Sequence, residues 1–307
     1  LNDGHGSFLE ASQNFGLDFT QSGPISDVLA IDLDHDNHID LVTCGPWNTI
    51  NVWMNREGQL VRASDTGLEK DFGLWNTLAI EDFDQDGDLD ILAGNWGLNT
   101  RWSASDAQPL QLYKYDFDKN QSEETLVTYF YQGQETPMAS KEELVKQMPQ
   151  INKRFLSFDD FANASLKDVF GAENLENGYV RKVTELGSCY FENQGDLFFK
   201  KTLLPQEIQY SSINDLLIID LNNDGQPDVL PSGNIYEVST QLGRLDAFKG
   251  GALINKGGHF VFDYAADQPM LGAGRNISIL KREHDSVLIM TRNNDTPIYL
   301  KKIPAQL

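Results

Sequence analysis

The stretch Asp82-Phe83-Asp84-Gln85-Asp86-Gly87-Asp88-Leu89-Asp90 decides how this chain is read. Its positions 1, 3, 5 and 9 carry carboxylates, and position 7 is left to offer a backbone carbonyl. Carboxylates crowded in this way repel one another unless a cation sits among them, and Ca²⁺ takes about six to eight oxygens at roughly 2.3–2.6 Å. The stretch therefore reads as a calcium cage.

The same spacing recurs in three more places. Asp32, Asp34, Asp36 and Asp40 repeat it with His38 at position 7; Asp116, Asp118, Asn120 and Glu124 with Ser122; Asp220, Asn222, Asp224 and Asp228 with Gln226. About four Ca²⁺ sites are expected, with Asp82, Asp84, Asp86, Asp88 and Asp90 forming the most acidic of them. Gly87 and Gly225 stand at position 6, where the chain must turn sharply. Asn37 tolerates the left-handed conformation there, but Gln121 does so less readily, which marks 116–124 as the weakest site. An EF-hand is excluded because its loop closes with Glu at position 12, which here is Thr43, Ala93, Val127 or Pro231. Short β-rich runs flank every loop, such as Leu78-Ala-Ile80 before and Ile91-Leu-Ala93 after. They read as strand, loop, strand.

A second motif alternates with the first. Asn2-Asp-Gly4, Asn55-Arg-Glu-Gly58, Asn193-Gln-Gly195 and Asn255-Lys-Gly257 supply the positive φ of tight hairpins, with apolar residues around them on strands. An acidic loop plus such a hairpin makes four strands in about 50 residues, the size of a propeller blade. The expected fold class is an all-β propeller of four-stranded blades with calcium-binding loops, spanning 1–307 as a single domain. Residues 1–23 read as half a blade, 26–68 as a complete one, 76–94 as the opening of the next, 189–203 as an outer hairpin, 213–264 as another blade and 275–303 as three closing strands. In that last blade Arg282-Glu-His-Asp285 replaces the acidic loop. The segment 110–131 is either a new blade or the outer hairpin of the blade before it. Residues 134–186 read as a helical insertion: Ser140-Lys-Glu-Glu143 is a capping box, Leu144, Met148, Ile151 and Phe155 share one stripe, and Ser157 and Ser165 repeat the cap signal.

These loops, followed by runs such as Ile91-Leu-Ala-Gly94 and alternating with the Asn-x-Gly hairpins, resemble the FG-GAP/VCBS repeats of integrin-α-like β-propellers. The resemblance covers about 1–133 and 187–303 and implies the propeller, the calcium and an exported or cell-surface setting. It is similar also to large exported repeat proteins of bacteria. The helical insertion and the broken period near residue 100 depart from the basic repeat.

Composition agrees with that setting. Sixteen of the 46 acidic residues lie in the four loops, and the formal charge of -22 argues against nucleic acid or an anionic membrane surface as partner. Four Ca²⁺ ions would offset roughly a third of this excess. No run approaches the roughly 20 apolar residues of a membrane span, so direct membrane insertion is not expected. Cys44 and Cys189 imply no disulfide framework and read as buried thiols. The sequence opens at Leu1 in mid-motif, as a mature or excised fragment would. An extracellular, cell-surface or periplasmic location is expected.

Catalytic motifs are weak. Asp65-Thr66-Gly67 is a single copy of a triplet whose chemistry needs two carboxylates, so a turn is expected there. His5, His35, His38, His259 and His284 are scattered over turns. The stretch Asn95-Trp96-Gly97-Leu98-Asn99-Thr100-Arg101-Trp102, with Trp47 at the matching place one blade earlier, offers stacking and hydrogen-bonding groups for a glycan or peptide. The other reading of these tryptophans is as wedges between blades. The leading functional expectation is a non-catalytic module that binds a protein or glycan, or other subunits of a surface assembly. The alternative is a polysaccharide lyase, with Arg101, Arg181, Lys182, Arg244 and Lys249 as the only basic residues to build its groove.

Overall fold

Along Asp90–Gly94 every residue is buried, and successive side chains enter different cores. Ile91 and Ala93 join Val42, Val52, Trp75 and Phe191 on one face, while Leu92 joins Tyr190, Val229, Leu253 and Phe260 on the other. A strand alternates its side chains between two faces, so a strand apolar at every position belongs to a sheet covered on both sides. Asp228–Gly233 is likewise buried at every position, with Val229 in one core and Leu230 in another.

The computed structural model describes residues 2–10, 22–239, 241–264, 270–282 and 285–304. It is mostly β, with a few short helices. The chain divides into two compact units, one comprising Leu1–Arg101 with Leu186–Leu307 and the other Trp102–Glu185. In the first unit, one sheet consists of Asp27–Ile31, Asp40–Cys44, Asn51–Arg56 and Gln59–Arg62, paired antiparallel in chain order. The second is built from Thr77–Glu81, Asp90–Gly94, Cys189–Asn193 and Phe199–Leu203, and the third from Ile213–Ile219, Asp228–Gly233, Ala252–Asn255 and Phe260–Asp263. Gly274–Lys281, Asp285–Arg292 and Asp295–Pro304 make a three-stranded fourth sheet. Separate apolar cores lie between the first and second sheets, the second and third, and the third and fourth. Cys44 and Cys189 are both buried in the first of these, and burial pushes the Cys44 thiol up to about 12.

The first strands of consecutive sheets are fastened by side chains. Asp27 Oδ2 accepts from the Leu78 N–H at 2.8 Å and from Thr77 Oγ1 at 3.1 Å. Asp215 Oδ2 accepts from the Ile277 N–H and from Asn276 Nδ2, both at 2.7 Å. Between the second and third sheets the direction reverses, and Asn76 Nδ2 donates to Ile213 O at 3.0 Å and Ser212 Oγ at 2.9 Å. Gly94 permits this approach, because a Cβ there would stand 2.9 Å from Ile213 O. Burial is the largest cause that raises the Asp215 carboxyl, and the negative charge of Asp27 adds to it.

The segment 110–131 is not the outer hairpin of the sheet that 77–94 opens. Its strands Leu110–Tyr115 and Glu124–Tyr131 pair with each other, with Gln134–Pro137 and with Tyr179–Val183, forming a sheet of their own. The second sheet takes its third strand from beyond this unit, where Phe191 pairs with Ile91. Trp102–Glu185 is thus one compact unit, in which the helices lie between the third strand of this sheet and Tyr179–Val183. Those helices carry the expected caps: Ser140, Ser157 and Ser165 each form a capping box with the residue three positions on. Leu144, Met148 and Ile151 pack on Tyr113, Phe117 and Leu126. The apolar stripe does not run along one helix, because Pro149 intervenes and a second short helix starts after it. Part of the N-terminal half-blade, 11–21, and the replacement residues Glu283 and His284 lie outside the described residues.

Replacing Asp27 or Asp215 by Ala leaves a first-strand N–H without its acceptor. Each variant is expected to lose about 1–3 kcal/mol in chemical denaturation, and a loss below that range for both would show that the strands hold together without these side chains.

Candidate functional site

The four acidic loops share one hydrogen-bond plan. The position-1 carboxylate accepts the N–H groups of positions 5 and 6: Asp36 and Asn37 to Asp32, Asp86 and Gly87 to Asp82, Asn120 and Gln121 to Asp116, Asp224 and Gly225 to Asp220. The position-5 side chain accepts the N–H of position 7, from His38, Asp88, Ser122 or Gln226, at 2.7–2.9 Å. Positive φ falls at position 6, as expected, and Gln121 adopts it at 72° without distorting the plan. The loop 116–124 is therefore no exception in shape. Position 4 also has positive φ, at His35, Gln85, Lys119 and Asn223, although Gln85 and Lys119 are not residue types that advertise it.

Position 9 joins the loop to the rest of the sheet. One carboxylate oxygen accepts from the N–H of position 2: Leu33 to Asp40, Phe83 to Asp90, Phe117 to Glu124 and Leu221 to Asp228. In the three loops of the first unit the other oxygen accepts the N–H of the hairpin asparagine: Asn55 at 2.7 Å, Asn193 at 2.8 Å and Asn255 at 2.9 Å. Each of these asparagines then accepts from a hairpin glycine, Gly58, Gly195 or Gly258. The acidic loop and the Asn-Gly hairpin are thus one device.

The loops suit a divalent cation. In 32–40, 82–90 and 116–124, three carboxylate oxygens lie within 4.8 Å of one another: those of Asp32, Asp34 and Asp40, of Asp82, Asp84 and Asp86, and of Asp116, Asp118 and Glu124. Asp34 Oδ1 is buried without a hydrogen-bond partner, although its carboxylate points into the loop. Burial is the largest cause that raises Asp40, Asp84 and Glu124, and it pushes Asp90 up to about 6 despite the N–H donors around it. Negative charge held out of water beside further negative charge calls for a compensating cation. In the first loop part of it comes from within, since Arg56 Nη1 reaches Asp34 at 2.8 Å and Asp36 at 2.9 Å. Lys256 approaches Asp224 at 3.3 Å in the same manner. The matching hairpin residue beside 82–90 is Gln194, which brings no charge.

The tryptophan stretch has a different character. Asn95 is fully buried; its Oδ1 accepts from the Leu74 and Trp96 N–H groups and its Nδ2 donates to Gly187 O. Asn234 follows the matching strand of the next sheet and has the same role with Phe248 and Gly272. Asn95 is thus an internal tie whose repeat in the next sheet the sequence reading missed. Asn99 donates to Tyr210 O and Arg101 to Gln241 O, both at the surface of the first unit. Trp47 and Trp96 are half-buried there, while Trp102 is buried and begins the second unit. Of the basic residues, Arg244 stacks on Tyr236 in the first unit and Arg181 on Tyr179 in the second. Asp65-Thr66-Gly67 is a turn in which Thr66 is buried and bonded to Glu69.

Replacing Asp90 by Ala strips acceptors from Phe83 N–H, Asn193 N–H and the Tyr190 hydroxyl at once. A loss of about 3 kcal/mol or more is expected, against a smaller one for Asp90→Asn; equal stability of Asp90→Ala and wild type in urea would refute the clamp.

A family model described as FG-GAP-like repeat matches residues 32–93. No curated protein matches the chain. Among solved structures, the crystal structure of the V. cholerae biofilm matrix protein Bap1 is similar at 10% identity and a TM-score of 0.30, covering 87% of this chain. The match spans 60% of that protein's chain. No helix among the described residues is long and apolar enough to cross a membrane.

Proposed function

We propose that this chain is a calcium-stabilised β-propeller module that binds a protein or glycan, or other subunits of a surface assembly, outside the cytoplasm. The observation that carries it is the repeated loop in which converging carboxylates, one with an orphaned buried oxygen, end on a buried acid clamped to the next hairpin. The FG-GAP-like match over 32–93 supports the reading, since it covers the first loop, three of the four strands of the first sheet and the opening of the second. The propeller geometry draws support from sheets that share apolar cores in chain order and from first strands fastened to one another.

Bound calcium would supply the positive charge that these loops lack. The residues to hold it are the side chains at positions 1, 3, 5 and 9 of each loop. Because Asp40, Asp90 and Asp228 also hold the hairpins, neutralising them would steady the sheet as well as the turn. Cytosolic calcium is scarce, which places such a module on the outside of a cell. Binding rather than catalysis is the reading we adopt, because the side chains that the repeated loops bring together are hard oxygen donors that suit a cation.

Stripping calcium with a chelator is expected to lower the melting temperature, and adding it back to restore it. A site held at 100-fold above its dissociation constant contributes about 2.7 kcal/mol. An unchanged melting curve after verified removal would overturn the structural role of calcium. A glycan array run beside a uronic-acid polymer assay, with ultraviolet detection of unsaturated products, separates binding from lyase action: a bound glycan without new absorbance supports the module, and new absorbance favours an enzyme.

A further inference from the structure

The acidic loops of the first three sheets are connected in series. His35 Nε2 lies 3.2 Å from Gly87 O, and Gln85 Nε2 donates to Gly225 O at 3.3 Å. Donor and acceptor hold the same places each time. The donor is the position-4 residue of one loop, held at positive φ between the side chains of positions 3 and 5. The acceptor is the position-6 carbonyl of the next loop, again at positive φ.

That carbonyl belongs to a peptide group with a second duty. The N–H of the Gly87–Asp88 peptide donates to Asp86 Oδ1 at 2.9 Å, and that of the Gly225–Gln226 peptide donates to Asp224 Oδ1, also at 2.9 Å. A donor on the oxygen of a peptide polarises its N–H, so bonds on the two sides strengthen one another. The path therefore runs from the backbone between Asp34 and Asp36, through His35 and a peptide, to Asp86. From the backbone between Asp84 and Asp86 it continues through Gln85 and a second peptide to Asp224. Every residue on it is either a candidate ligand or is bonded directly to one.

We propose that the loops 32–40, 82–90 and 220–228 take up calcium as one cooperative row, with His35 and Gln85 as the coupling residues. The proposal rests on the calcium reading of the preceding subsection. A cation that draws Asp34 and Asp36 inward fixes the backbone of His35, which in turn holds the Gly87 peptide in the orientation that presents Asp86. The second loop then binds a cation without having to order that peptide itself, and the same step repeats at Gly225. Coupling by one such hydrogen bond corresponds to about a 3- to 10-fold change in affinity per contact.

The test is calorimetric titration of the chelator-stripped full chain with CaCl₂ at pH 7.5. Wild type, His35→Ala, Gln85→Ala, the double variant and His35→Gln are compared, with melting in chelator as a check that the variants fold alike. The wild type is expected to titrate cooperatively. Each Ala variant should bind the same number of ions with a lower Hill coefficient and about 3- to 10-fold weaker overall affinity, and the double variant should titrate as independent sites. His35→Gln places at position 4 the side chain that does this work in the next loop, and it should restore the wild-type isotherm. Isotherms that coincide for wild type and both Ala variants would overturn the coupling while leaving the calcium reading intact. Absence of calcium binding in every variant would overturn both.

Discussion

A carboxylate buried where loop, strand and hairpin meet is the constraint on which the rest of this molecule depends. Asp40, Asp90 and Asp228 are fully inaccessible to solvent, and each one gathers main-chain N–H groups from two segments far apart in sequence. A buried N–H without an acceptor is costly, so the position of this one side chain sets both the closure of the acidic turn and the register of the hairpin that follows. The arrangement explains why a chain so rich in negative charge keeps part of it inside. In place of the hydration these acids lose, the fold offers oriented backbone dipoles. For Asp90 these do not fully compensate, and its carboxyl still rises to about 6.

Much of this was legible in the residues because the determinants are local. The spacing of Asp32, Asp34, Asp36 and Asp40 is sufficient to form the turn, since every bond of its plan except the hairpin clamp spans at most seven residues. Ser140, Ser157 and Ser165 announced their helices for the same reason. What was not legible is non-local. Nothing near Ile91 states that its partner is Phe191, because a pairing choice between two equally apolar strands is made by the cores on both faces and not by the strands themselves. Asn95 illustrates the opposite error. Its polar side chain beside tryptophans looks like a recognition group, yet Asn234 repeats its place and bonds in the next sheet, and repetition in the interior marks it as architecture. Gln121 shows that a left-handed φ can be held by its neighbours' hydrogen bonds where the residue type would not choose it.

The loops share a plan but not an electrostatic environment. Arg56 lies across Asp34 and Asp36, Lys256 touches Asp224, and the matching Gln194 brings no charge to the five aspartates of the loop 82–90. A guanidinium on a flexible stem is a weak competitor for hard oxygen ligands, but it keeps them from repelling one another when no ion is bound. The hairpin that is clamped to each loop thus also sets how much positive charge it brings to that loop. Gly58, Gly195 and Gly258 each donate to the hairpin asparagine, three, two and three residues on, while the residue after the asparagine varies.

The excursion between Gly94 and Cys189 has a consequence for the nascent chain. As the polypeptide leaves the ribosome, the strands 77–81 and 90–94 emerge together, but the two that complete their sheet follow only after the whole of Trp102–Glu185. Until then Asp90–Gly94 has a bare edge and an apolar face on either side, the combination most prone to pairing with a stranger. The intervening residues, whose sheet and helices contact one another over short sequence separations, are equipped to become compact in that interval.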